Sequence, residues 1–414
     1  MSQIMVLGAG MVGVSSALAL QARGHQVTLV DRRGPGRETS FGNAGFIQAE
    51  AVEPYAIPRD LRTLLSYATG RSNDIVYDPA QLPRIAKVLL AYWRNSAPAR
   101  HRAIAATYAR LAQRSTADHQ PLIAASGQDN LIRRTGYAQV FRDGSVFDGA
   151  AREAERLKAE YGVRVTAKDA ATFASAEPGV KRPVAGALAW DDTWTCADPG
   201  ALTAGYADLF TRQGGRFVDG DALSLTQSAT GWQIDSAEGP VEAEQVVVAL
   251  GPWGPDLLKR FGYRVPMLWK RGYHGHFDSP TPLSRPVMDA QNGIVMTPTT
   301  RGLRLATGAA LVDREAPAEP RQLERGAKAV SDLVDLGPRV QEVQWFGHRP
   351  CLPDMLPLVG QAPRHPTLWL NFGHGHQGFT LGPTTALLLA DAMDGQRDDL
   401  ATALAPASRP AAIH

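Results

Sequence analysis

Near the end of the chain, Asn371 to Pro383 reads NFGHGHQGFTLGP, with His374 and His376 set among Gly373, Gly375 and Gly378. Paired imidazoles raise two kinds of chemistry, metal ligation and proton donation. No Cys, Asp or Glu accompanies them at ligand spacing, and alternate side chains in a glycine-rich loop point apart, so no metal is expected here. His374 remains a candidate catalytic donor. The glycines suggest a third use, in which bare backbone lies against a flat ligand. If Gly378 opens a helix through PTTALLLADAM, its free N–H groups and positive dipole end would face that ligand. Tyr273, in WKRGYHGHF, sits on an expected strand where its phenol could bind a substrate anion, although a lone aromatic is as readily core. Arg271 and His274 of the same stretch are weaker candidates.

These residues need a scaffold, and the first thirty residues supply one. Ile4 to Leu7 reads as a buried strand, Val12 to Arg23 as a helix and His25 to Val30 as a second strand. Between them stands G-x-G-x-x-G at Gly8, Gly10 and Gly13, with Met11 and Val12 opening the helix, and Asp31 and Arg32 closing the unit. Gly8 permits the tight turn, Gly10 lets a pyrophosphate approach the helix N-terminus, and Gly13 lets helix and strand pack closely. Asp31 can accept hydrogen bonds from ribose hydroxyls and disfavours a 2′-phosphate, which leaves FAD or NAD. RETSFGNAGFI, Arg37 to Ile47, reads either as a ligand-hugging loop or as a plain surface turn. AEQVVVALGPWGPDLL, Ala243 to Leu258, reads as a buried strand broken at Gly251. The segment before it reads as a helix capped by Asp198 with Pro199 in its first turn, followed by a strand.

Composition sets the outer bounds. The 414 residues are 44% hydrophobic and 20% charged, enough for a full core and two domains. A net charge of +2 offers no argument for nucleic acid. Cys196 and Cys351 form neither a disulfide framework nor a zinc pattern, so a reducing cytoplasm is expected. Ile4 to Ala22 is uncharged, but its glycines and the lack of a preceding basic residue argue against a membrane span. Tyr55 to Gly127 reads as an insertion helical at Pro83 to Arg94 and Ala103 to Ala125. The first of these helices is amphipathic and basic, which suits core packing or, alternatively, peripheral contact with a membrane. Trp190, Trp194, Tyr206 and Trp269 are read as core aromatics that could instead shape a bulky pocket.

The glycine motif, the TSFGNAG loop, VVVALGPW, RPCLPDMLPLVG and GHGHQGFTLGP, in that order, resemble the D-amino-acid dehydrogenase and oxidase family of flavoproteins, relatives of glycine oxidase and sarcosine oxidase. The resemblance runs from Ile4 to about Gly395. It implies an α/β fold, with a Rossmann-like FAD-binding domain assembled from residues 1–50, 198–258 and 343–400. Residues 51–197 and 259–342 would form a mixed-sheet α+β substrate domain, and 401–414 a flexible tail. It also implies that Thr39, Ser40, Asn43, Ala44 and Gly45 contact pyrophosphate and flavin, that Val218 lies near the adenine, and that Ala249, Gly251 and Trp253 flank the cofactor. Gly373, Gly375, Gln377, Gly378, Phe379 and Thr380 would wrap the flavin pyrimidine. Arg349 matches the family's carboxylate-binding arginine, a role suited to a planar fork that keeps its charge. The implied reaction is hydride transfer from Cα of a neutral amine to flavin N5, with oxygen or a quinone or respiratory carrier as final acceptor. Leu352 replaces the family's usual threonine before Pro-Asp. Cys351 does not sit where sarcosine oxidases tether flavin, so FAD is expected to be noncovalent.

Overall fold

The computed structural model describes residues 1–70 and 72–414. The hydrophobic runs near the N-terminus and around residue 246 become the middle of an eight-stranded sheet. Its strand order is Val241–Ala243, Trp232–Ser236, Arg216–Gln227, Gln26–Asp31, Gln3–Leu7, Gln245–Val248, His365–Phe372, Leu358–Ala362. The pairs from Arg216–Gln227 to His365–Phe372 are parallel, and the outer pairs are antiparallel. Parallel strands are buried on both faces, which is why Val246, Val247 and Val248 are fully buried in one uninterrupted apolar run. The helices Met11–Ala22, Ser115–Ser126, Pro199–Arg212 and Gly378–Met393 share a core cluster with one face of this sheet. Asp198 caps its helix by accepting from the Ala201 N–H, and Pro199 occupies the first turn.

A second, ten-stranded sheet is mostly antiparallel and is organised around Leu268–Phe277. This strand pairs with Gly302–Ala306 and Ala309–Leu311, and along its length with Trp345–Cys351. A small sheet of Ile132–Arg133, Thr193–Cys196 and Phe46–Gln48 completes the strand pairing.

Three readings require correction. Trp345–Cys351 pairs with Leu268–Phe277, so the segment beginning at residue 343 joins the second sheet before the chain returns to the first at Leu358. The helix expected over Ala103 to Ala125 is two, Pro98–Ala112 and Ser115–Ser126, because the chain turns at Gln113 ahead of Ser115-Thr116, with Asp118 in the new first turn. The amphipathic helix Leu82–Asn95 packs Tyr92, Ile85, Val88 and Leu89 on a core cluster as expected, while Leu90 and Trp93 face outward, Trp93 beneath the Arg59 guanidinium at 3.6 Å. Residues 401–414 are packed rather than loose. Asp399–Leu404 is helical, Arg409 pairs with Asp354 at 2.6 Å, and Ala412 and Ile413 are buried in the core. An Ala- and Pro-rich composition reads as disorder, yet one arginine that also donates to the Leu356 carbonyl anchors the segment.

Candidate functional site

A cavity of about 500 Å³ opens between the first sheet's carboxyl edge and the second sheet, lined from both ends of the chain and from its middle. Ligands of open α/β sheets bind at such edges. One end is made of backbone. Gly8 has φ +103°, and a Cβ at Gly13 would lie 1.7 Å from the Gly8 carbonyl oxygen, so the helix rests directly on the turn. At Gly10 an added Cβ would meet only the Ser40 hydroxyl, at 3.3 Å, and the cavity side stays open. Asp31 accepts from the Ala9 and Arg33 N–H groups, each at 2.8 Å, and the Ser40 hydroxyl accepts from Met11 N–H at 3.0 Å. The Val14 N–H makes the helix's first bond, to the Gly10 carbonyl at 2.9 Å, so the N–H groups of Val12 and Gly13 ahead of it form an anion-binding end.

The loop from Thr39 to Gly45 is braced from behind. The carbonyls of Asn43 and Ala44 accept from Arg304 Nη1 at 2.6 Å and Thr297 Oγ1 at 2.9 Å, and that of Gly42 accepts from His274 Nδ1 at 3.3 Å. Arg304 also donates to His276 Nε2 at 3.0 Å, so the His276 proton sits on Nδ1, facing Glu342 at 2.9 Å. Burial lowers Arg304 to about 10 and His274 to about 2. His274, His276 and Glu342 lie close enough to suggest a metal site. Both His276 nitrogens are committed and a guanidinium touches one of them, so the cluster acts as a brace.

The other wall begins at the helix Gly378–Met393, whose opening residues Gln377, Gly378 and Phe379 line the cavity. Gln377 Nε2 donates to Gln48 Oε1 at 2.9 Å, and Gln48 Nε2 donates to Glu50 Oε1 at 2.9 Å. Burial raises the Glu50 carboxyl to about 7. His374 lines the cavity as expected, but its ring is held from behind. Its Nε2 donates to the Thr385 hydroxyl at 2.9 Å, which in turn donates to the Leu381 carbonyl, so the ring is turned into the helix. Burial pushes it down to about 3 and keeps it neutral. His376 also lines the cavity, against the Tyr55 ring at 4.8 Å, and burial with nearby Arg349 and Lys270 lowers its pKa.

Strand register builds the remaining wall. Lys270 stands directly opposite Arg349, and both line the cavity with Gly272. Arg349 donates to the carbonyls of Gly308 at 2.7 Å and Thr307 at 3.1 Å, while Lys270 donates to the Tyr92 hydroxyl at 3.2 Å. These partners are neutral, and burial lowers the pKa of both cations. Side chains alternate along a strand, so Tyr273 falls on the opposite face. Tyr273 still touches the cavity, but its ring belongs to the second sheet's core and its hydroxyl accepts from Arg271 Nη1 at 3.3 Å and Glu319 N–H at 3.2 Å, which commits the phenol to the fold. Arg271 is spent on the carbonyls of Asp313, Arg314, Ala316 and Pro317.

Of the remaining expected residues, Val12, Arg32, Thr39, Asn43 and Ala44 line the cavity, as do Ala249, Gly251, Trp253 and Gly375. Five of the expected residues stand behind it. Val218 is core, paired with Val30, and Gly220 to Leu223 further along its strand reach the cavity instead. Gly13 and Gly45 permit close backbone packing, Gly373 abuts Leu352, and the Thr380 hydroxyl bonds Phe46 O. Trp190, Trp194, Tyr206 and Trp269 do not line it. Cys351 is 3% exposed and lies beside the cavity wall. Lys270, Tyr55 and Gln48 are lining residues that sequence reasoning missed, and His376 is weighed from the sequence only as a metal ligand. Only the alternation in WKRGYHGHF could have favoured Lys270 over Tyr273.

A bare-backbone turn with an open Gly10 edge and a helix N-terminus at either side fits a dinucleotide carrying a flat ring. Comparison with known proteins agrees. A family model described as FAD dependent oxidoreductase matches residues 3–392. A D-amino acid dehydrogenase of Cereibacter sphaeroides is 33% identical, covering 97% of this chain and 94% of the relative. The crystal structure of glycine oxidase from Geobacillus kaustophilus superposes with a TM-score of 0.72 at 20% identity, covering 96% of each chain. That of L-proline dehydrogenase from P. horikoshii superposes with a TM-score of 0.73 at 16% identity, covering 99% and 98%.

Proposed function

The chain belongs to the FAD dependent oxidoreductase family, and from that premise we propose that it oxidises the Cα–N bond of a D-amino acid. Bound FAD supplies the hydride acceptor. The observation that carries the reading is the Lys270 and Arg349 pair, two cations side by side on the cavity wall whose hydrogen bonds go to neutral groups. A substrate carboxylate is the counter-ion such a pair lacks, and the guanidinium fork suits it.

Arg349 and Lys270 would anchor the carboxylate and so orient Cα–H toward the ring. His376, held neutral, would offer one ring nitrogen without adding charge. The N-terminus of Gly378–Met393 would stabilise negative charge developing at the ring's pyrimidine edge. Loss of hydride from Cα and a proton from nitrogen leaves an imino acid, and water converts it to a 2-oxo acid and ammonia. No protein carboxylate is required as base. Gly8, Gly10, Met11, Val12 and Asp31 would hold the adenosine and pyrophosphate, and the loop from Thr39 to Ala44 would reach the ring, with FAD noncovalent.

The D preference rests on the Cereibacter relative. A secondary reading, oxidation of glycine or a secondary amine such as proline, is favoured by the two superposing enzymes and would use the same wall. The final acceptor in this proposal is oxygen or a quinone or respiratory carrier. No helix among the described residues is long and apolar enough to cross a membrane, and a cytoplasmic location with peripheral contact at the membrane's inner face is proposed. The test is anaerobic titration of the flavoprotein with D-amino acids, their L-enantiomers, glycine, sarcosine and proline. Bleaching by D-enantiomers with release of a 2-oxo acid supports the proposal. Bleaching by proline or sarcosine alone supports the second reading, and flavin that no amine bleaches would refute both.

A further inference from the structure

The helix Gly378–Met393 carries Pro383 in its interior. Proline has no N–H, so the carbonyl four residues earlier, on Phe379, loses its helical donor, and the ring crowds it. Phe379 is in the first turn and lines the cavity. An orphaned carbonyl there would destabilise the turn that faces the cofactor, because a buried polar group without a partner is costly.

The missing donor comes from another helix. His119, on Ser115–Ser126 and fully buried, places Nε2 3.0 Å from the Phe379 carbonyl oxygen and 3.2 Å from that of Thr380. Carbonyls only accept, so the proton is on Nε2, and Nδ1 accepts from the Tyr206 hydroxyl at 3.0 Å. Tyr206, itself fully buried on Pro199–Arg212, thus fixes the ring's tautomer and tilt.

We propose that His119 is a positioning residue for the cofactor-facing turn: its Nε2–H replaces the backbone donor that Pro383 removes, and so fixes where the helix N-terminus meets the flavin. His119 does not line the cavity, so it acts only through Phe379 and Thr380. Pro383 in return leaves the first turn adjustable from outside the helix.

The test is a double-mutant cycle on the holoenzyme, reading flavin release by fluorescence and the flavin midpoint potential. Both readouts are independent of which amine is the substrate. His119→Leu should weaken FAD binding about tenfold and make the flavin harder to reduce, whereas His119→Gln, which keeps a donor, should stay within about threefold of wild type. Pro383→Ala restores the backbone N–H, so His119→Leu in that background should lose much less affinity and little potential. Equal losses in both backgrounds, or wild-type affinity and potential in a folded His119→Leu, would overturn the proposal. Should His119→Leu fail to fold, the double variant must fold, and its failure would also overturn the proposal.

Discussion

At one end of the cavity the chain offers backbone, and at the other it offers side chains. Gly8, Gly10 and the N-terminus of Met11–Ala22 present N–H groups and empty space, with Gly13 pressed against the turn. Lys270 and Arg349 present charged groups from two neighbouring strands, and His376 joins them from a loop. The difference lies in what each end tolerates. At Gly8 and Gly13 the backbone end has no room for one added carbon, and Asp31 apart it works through N–H groups rather than side chains. The side-chain end can lose a group and keep its fold, but the lost group takes a function with it.

This contrast breaks most sharply at Gly13. With a Cβ 1.7 Å from the Gly8 oxygen, Gly13→Ala must part helix from strand, and the purified protein should carry no flavin. Flavin content near wild type would mean that the turn has slack the packing does not show. The next largest effect is expected at the opposite end. Arg349→Ala should keep its flavin but lose about 100- to 1000-fold in kcat/KM, mostly through KM, since truncating one member of a charge pair costs this much. Loss of flavin in that variant would erase the distinction between the two ends.

Glu50 lies between them, behind Gln48 and Gln377, and its effect is smaller and bound to pH. Its carboxyl is raised from 4.5 to about 7 by burial. Below the lower value it is protonated whether the chain is folded or not. As pH rises to the higher value only the unfolded chain gives up its proton, so stability falls, and above it the loss is complete. Glu50→Gln should therefore melt like wild type near the lower value and become more stable by about 3 kcal/mol above the upper one. A constant gap at every pH would contradict the assignment. The smallest effect belongs to Tyr273→Phe, which should leave kcat/KM within about twofold and cost ~1 kcal/mol of stability, because its hydroxyl serves Arg271 and the Glu319 N–H.

The same division explains what could be read from sequence. A turn made of backbone is local, so Gly8, Gly10, Gly13 and Asp31 state their function in one run of residues. The helix beginning at Gly378 was legible for the same reason. Arg349 was reached through a resemblance, and Lys270 was not reached at all, because what puts it in the cavity is its register against a strand far along the chain. Lys270 and Tyr273 have opposite parity, and a sequence shows that a strand alternates without showing which face presents its polar groups to the site. His374 and His376 look alike in GHGHQG. Only the packed helix shows that Thr385 takes Nε2 of the first, although both line the cavity. The brace of Arg304, His276 and Glu342 brings together residues from three separate stretches, so no local signal marks it.

The central claim is that the cavity holds a substrate by its carboxylate through Arg349 and Lys270. It is tested most directly by comparing a D-amino acid with the matching amine that lacks the carboxylate, as anaerobic reductants of wild-type and Arg349→Ala flavoprotein. Wild type should be reduced by the amino acid far more readily than by the amine, and the variant should lose most of that preference. A preference that survives intact in the variant, or a wild type that cannot tell the two apart, would contradict the account.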